Sequence, residues 1–128
     1  MNYTIVLMAI VVVLVVGCRT TPIYNVHDAA VVVTAGKQAS EDSVKTAILR
    51  AGNRLGWNMT DTSPGVITAR ITLREHTATA EVKYNTRSYS IRYLDSTNLN
   101  ASGGNIHKNY NGWIENLDRE IRVELLKT

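Results

Sequence analysis

Three successive stretches of alternating apolar and polar side chains, flanked by two stretches with helical apolar spacing, predict an α+β fold. The expected architecture is a two-layer sandwich, an antiparallel meander sheet covered on one face by two helices, in the order β-α-β-β-β-α. Size and composition agree. The 128 residues, 45% hydrophobic and 20% charged, suit one domain behind a short leader. A single cysteine excludes an internal disulfide. Stability must therefore come from the core, which in a domain of about 100 residues buries roughly two thirds of the chain's surface.

In chain order, "AAVVVTAG" (29–36) reads as a first strand, rich in β-branched residues and closed by Gly36. "SEDSVKTAILRAGNRLG" (40–56) reads as a helix. Ser40 is placed to cap it, Glu41 and Asp42 complement its dipole, and Gly56 ends it. Val44, Ala47, Ile48, Ala51 and Leu55 form its apolar stripe. "WNMTD" is a short strand or turn before the breaker "SPG".

The three alternating runs follow. Ile67, Ala69, Ile71 and Leu73 share one face of the first, with Thr68, Arg70, Thr72 and Arg74 on the other. In the second, Ala78, Ala80, Val82 and Tyr84 oppose Thr79, Glu81 and Lys83. In the third, Tyr89, Ile91 and Tyr93 oppose Ser88, Ser90 and Arg92. After a loop, "DSTNLNASGGN", a second helix is expected over 106–126. Its stripe is Ile106, Tyr110, Trp113, Ile114, Leu117, Ile121 and Leu125, and Glu115 with Arg119 and Asp118 with Arg122 are expected to form exposed pairs.

The leader carries the clearest functional signal. Every residue from Ile5 to Val16 is apolar, which is the length of a secretory h-region and short of the roughly 20 residues that span a bilayer. "VVGC" then resembles a bacterial lipobox. That resemblance implies cleavage between Gly17 and Cys18 and a diacylglyceryl group on the Cys18 thiol, the nucleophile that lipid transfer needs. Arg19, where an aspartate would signal retention, implies an outer-membrane anchor facing the periplasm. Residues 1–17 are thus expected to be a signal peptide, 18–27 a lipidated N-terminus and polar tether reaching about 35 Å, and 28–128 a single α+β periplasmic domain.

The segments "AILRAGNRLGW", "PGVITARITLREHTATAEVKY", "YSIRYLDSTNL" and "IHKNYNGWIENLDREI" are similar to those of a group of small bacterial lipoproteins. The shared features are a Gly-Trp after the first helix, an Arg-x-His at the second strand, a Tyr-Ser-Ile-x-Tyr strand and an Ile-His-x-x-Tyr-Asn-x-Trp-Ile helix start. The resemblance implies the same leader, lipidation at Cys18 and the same α+β layout. It supplies no reaction.

Chemistry in the domain is sparse. His27, His76 and His107 have no paired spacing and the one cysteine is assigned to lipid, so neither metal nor other cofactor is expected. "SGGN" is a turn signal, and neither a phosphate loop nor a nucleophile elbow occurs. Asp95, Ser96 and His107, rimmed by Tyr110 and Trp113, form a candidate polar pocket, able to hold a glycan or peptide end. The plainer reading is that these groups cap the helix and bind the loop. Arg70, Arg74, Lys83 and Arg92 against Glu81 make a candidate surface for anionic lipid, glycan or protein, or else an ordinary solvated face. The formal charge of +3 allows such contacts, and an envelope address disfavours nucleic acid. The function expected is that of a non-enzymatic binding or structural accessory domain, anchored to the membrane by acyl chains on Cys18. The alternatives are a subunit of a larger envelope assembly and a small envelope hydrolase using Asp95, Ser96 and His107.

Overall fold

The computed structural model describes residues 19–128; the leader, Gly17 and Cys18 lie outside them. Nine elements follow in order: β1 (Thr20–Pro22), β2 (Val26–Ala30), α1 (Glu41–Arg54), β3 (Asn58–Ser63), β4 (Val66–Leu73), β5 (His76–Tyr84), β6 (Ser88–Thr97), β7 (Asn105–His107) and α2 (Lys108–Leu126). Five strands form one antiparallel sheet in the order β2-β6-β5-β4-β3, and β1 pairs with β7 in a separate ribbon. The α+β sandwich expected from the sequence is the fold. Its order is longer than expected by the two strands of the ribbon and by β3, the "WNMTD" stretch.

One face of the sheet is apolar, and this decides where everything else goes. Ile67, Ala69, Ile71, Ala78, Ala80, Val82, Tyr84, Tyr89 and Ile91 are buried on it. Over them lie Val44, Ala47, Ile48 and Ala51 of α1 and Tyr110, Ile114, Leu117, Ile121 and Leu125 of α2, in a single cluster. Truncating any one of the buried isoleucines or leucines to alanine would cost about 2–5 kcal/mol. Leu73, expected in this core, is 44% exposed, because it forms the last β4–β5 pair, opposite His76 beside the turn.

Local signals set the helix ends. Ser40 and Ser43 cap α1 reciprocally, each side chain accepting from the other's backbone N–H, and Gly56 at φ 85° follows its end. The second helix begins at Lys108, two residues later than its periodicity suggests, because Asn105–His107 pair with β1 instead.

The first strand is also shifted. It runs over Val26–Ala30 and stops where the valine run begins. Ala30 pairs with Ser88, the first residue of β6, and beyond one bond from the Val31 N–H to the Arg87 carbonyl the partner strand has ended. Propensity without a neighbour makes no strand.

Met59 of β3 lies beneath Gly52 of α1, where a Cβ would overlap Met59 Sδ and Cγ. Gly52→Ala is therefore expected to destabilise the domain by about 1–3 kcal/mol through overpacking. In a Met59→Ala background the same change is expected to stabilise by about 0.5–1 kcal/mol, the ordinary helix preference for alanine over glycine. Chemical denaturation of the four proteins of this cycle measures the reversal; equal effects in both backgrounds would refute the contact.

Candidate functional site

The described chain begins one residue after Cys18, and what stands there is no loose tether. Thr20, Thr21 and Pro22 pair with His107, Ile106 and Asn105. Asn111, in the first turn of α2, clamps the next residues. Its Nδ2 donates to Thr21 Oγ1 at 3.0 Å and to the Pro22 carbonyl at 2.9 Å, and its Oδ1 accepts from the Tyr24 N–H at 2.9 Å. The Ile23 N–H bonds to the Gly104 carbonyl at 2.9 Å. Asn25 Oδ1 accepts from the Tyr93 N–H at 2.9 Å, replacing a backbone partner where β2 has not yet begun. The polar tether expected over 18–27 is thus corrected from Thr20 onward. A three-residue strand is too short to show a period, and Asn111 is the only local sign that something docks beside it.

The cationic face is less basic than its sequence. Val66, Thr68, Arg70 and Thr72 do share the outer face with Thr79, Glu81 and Lys83 and with Ser88, Ser90 and Arg92, as the register requires. Glu81 lies between Thr68 and Arg92 and takes both nearby cations, Arg92 at 3.2 Å and Lys83 at 3.8 Å. Arg74 is not on the strand. It occupies the two-residue β4–β5 turn at φ 56°, a conformation the tight hairpin imposes. Among the described residues Arg70 has no ion-pair partner, and Asp95 stands two strands away in its row, across Thr79.

The proposed polar pocket does not assemble. The strand expected to end before Asp95 continues to Thr97 through a bulge, where Thr79 faces Asp95 and Ala80 faces Tyr93, leaving Leu94 as the extra residue. Asp95 therefore points to the outer face, and Ser96, opposite Ala78, to the inner one. Ser96 Oγ is 2.8 Å from Tyr93 Oη. Tyr110 is fully buried and packs edge-to-face on Tyr93, with ring centroids 5.3 Å apart. Trp113 is half-buried against the same core. His107 caps α2, its Nδ1 accepting from the Asn109 N–H at 3.1 Å. Ser96 and Tyr110 thus meet through Tyr93, while Asp95 is on the opposite face of the sheet and His107 is engaged at the start of α2. His76 is bound elsewhere, with Nδ1 2.7 Å from the Asn98 carbonyl. Among the described residues no group of three or more His, Cys, Asp and Glu side chains is placed to hold a metal.

Three features escaped sequence reasoning. Asp118, expected in an exposed pair, is buried. It accepts from the Tyr89 hydroxyl and pairs with Arg122 at 3.1 Å, so a buried charge is compensated on both sides. Glu124, also buried, is held by Lys127 at 2.9 Å and Arg54 at 3.5 Å. Finally, a cleft of about 340 Å³ opens between the start of α1 and the β3–β4 turn, lined by Glu41, Asp42, Lys45, Asp61 and Tyr84. Lys45 Nζ lies 3.4 Å from Asp61 and 3.7 Å from Asp42, closing most of its acidic lining. Only helical periodicity could have flagged Asp118 and Glu124, by setting them beside the apolar stripe.

The chain matches no protein-family model, no curated protein and no solved structure. No helix among the described residues is long and apolar enough to cross a membrane.

Tyr110 Oη is buried with no protein hydrogen-bond partner, and burial, then the nearby Tyr93, raises its pKa above the ordinary value. Tyr110→Phe is expected to stabilise the domain by about 1 kcal/mol by removing that desolvation cost. The sign with pH follows from the raised value: the neutral hydroxyl's contribution is whole below the unfolded pKa of about 10, begins to fall there and is lost as pH climbs through the raised folded value. The Phe variant should therefore show a shallower fall in stability above that pH in denaturant titrations. Asp118→Ala, which leaves the buried Tyr89 hydroxyl unpaired, is expected to cost about 2 kcal/mol; a neutral outcome would show the network to be dispensable.

Proposed function

We propose that the protein is a lipid-anchored bacterial envelope lipoprotein, cleaved after Gly17 and acylated on Cys18, whose domain works by binding or as a structural accessory on the periplasmic face of the outer membrane. One observation carries this reading: twelve apolar residues, Ile5–Val16, run directly into Gly17 and the chain's only cysteine. The run suits a removable leader better than a span. Two or more acyl chains on one residue would hold the protein firmly, each buried methylene contributing about 0.8 kcal/mol.

The placement of the domain's polar groups supports binding over catalysis. A hydrolase at Asp95, Ser96 and His107 would need these groups within hydrogen-bond reach of one another. Instead Asp95 and Ser96 project to opposite faces of the sheet, and the His107 lone pair is engaged by Asn109. Arg70, with Lys83 and Arg92 shared by Glu81, offers at most a weak contact for anionic glycan or lipid.

A second reading, a subunit of a larger envelope assembly, is favoured by one surface. Val32 and Leu126, 58% and 54% exposed, line an apolar cleft of about 270 Å³ with Ala30, Arg122 and Leu125. A photo-crosslinker at Val32 distinguishes the two readings in intact cells. A discrete heavier adduct is expected for a subunit, and monomer alone for a solitary accessory domain.

Intact-mass measurement of the membrane-extracted protein tests the anchor. The expected species begins at Cys18 and carries acyl groups. A chain that retains Met1 and a free thiol would overturn the reading.

A further inference from the structure

We infer that the domain has no working tether and lies with its β1–β7 end directly against anionic phospholipid headgroups, an inference that rests on acylation of Cys18. The distance along the chain is the first ground. Cys18 and Thr21 are three Cα steps apart, a reach of at most about 11 Å. Thr21 is already fixed to Ile106 through the ribbon and to Asn111 through its hydroxyl. The polar layer flanking one side of the hydrocarbon is itself about 5–8 Å deep, so only about 3–6 Å of the leash extends beyond it. A domain of about 100 residues has a radius of gyration near 13 Å. It cannot turn its far end to the bilayer without peeling β1 from β7 and breaking the Asn111 contacts.

Charge is the second ground, and it is independent of the first. The chain segments at the ribbon, 19–27 and 96–114, contain none of the eleven acidic residues, although Asp28, Asp95 and Glu115 adjoin them and Glu115 lines a surface cleft with Tyr24. Within them Arg19 and Lys108 are exposed. The first turn of α2 there carries no carboxylate. Glu75, whose carbonyl accepts from Asn98 Nδ2, brings one carboxylate to the side of the loop, with Arg74 beside it. Arg19, and Lys108 beside the Thr20–His107 pair, thus put two cations close to the acyl attachment point where they can meet lipid phosphate, with Glu75 and Glu115 at the margins of this end. The opposite end, at the β5–β6 turn near Arg87, would face away from the membrane.

The test uses the full processed protein, extracted from membranes and reconstituted in phosphatidylcholine vesicles containing phosphatidylglycerol and a headgroup-nitroxide lipid. An environment-sensitive fluorophore is placed on a new cysteine at Asn109 or, as a second reporter, at Asn105, and in a separate protein at Arg87; all three residues are exposed. With the protein floating on vesicles, the Asn109 and Asn105 labels are expected to lose most of their emission to the nitroxide and the Arg87 label to keep it. Inserting ten Gly/Ser residues between Arg19 and Thr20 is expected to erase that difference. Flotation with equal quenching at both ends would overturn the docked orientation, and a difference that survives the insert would overturn the short leash as its cause; either result leaves acylation standing. Failure to float would overturn acylation, and the docking with it.

Discussion

A sheet with a single apolar face cannot stand in water, and the arrangement of this molecule follows from covering that face. Burial of Ile67, Ala80, Val82 and Ile91 under α1 and α2 removes their surface from water at about 25 cal/mol per Å². It fixes register as well, since a one-residue slip in β5 would expose Ala78, Ala80 and Val82 and bury Thr79, Glu81 and Lys83. Both helices are drawn to one side, so the outer face stays bare and polar. The bulges then adjust the edges. One lets β6 carry Ser96 onto the inner side beside Tyr93, a second turns the chain at Asp28, whose N–H bonds to Ser90 Oγ, and a third shifts β3 on β4 between Asp61 and Ser63.

The same constraint explains where charge is tolerated. On α2, Asp118 and Glu124 sit at the margin of the apolar stripe, with Arg122 reaching over the first and Arg54 and Lys127 over the second from the solvent side. On the outer face Glu81 divides itself between two cations, so the local field is weaker than a count of arginines suggests. The Tyr89–Asp118 bond also ties α2 to β6.

Most of the fold was legible because it is written in local periodicity. The alternation of Ile67 to Ile71, Ala78 to Tyr84 and Tyr89 to Ile91, and the spacing of Val44 to Ala51 and Ile114 to Leu125, mark residues that are buried in the core. What was not legible depends on distant partners. Val31–Val33 have strand-like side chains but no strand beside them past Ser88. Thr20–Pro22 have weak local preference and become a strand only because Asn105–His107 lie alongside. Asp95 and Ser96 read as neighbours in a loop, and a bulge at Leu94 set them on opposite faces. Of the candidate site residues, the outer-face position of Arg70, Lys83 and Arg92 was visible in the alternation; the sharing of Glu81 and the turn at Arg74 were not.

The ribbon has a consequence for the order in which the molecule can be completed. Tyr24 is bonded to Asn111 across 87 positions of chain, so the first strand has nothing to hold until almost all of the polypeptide has been delivered. Contacts of such long separation are slow to form, because the entropy of closing the intervening loop is lost before the contact repays it. A chain emerging amino end first, from a ribosome or through any narrow conduit, would keep its opening segment slack while the β4–β5–β6 hairpins assemble behind it. The ribbon stays unmade until the last helix arrives to fasten it.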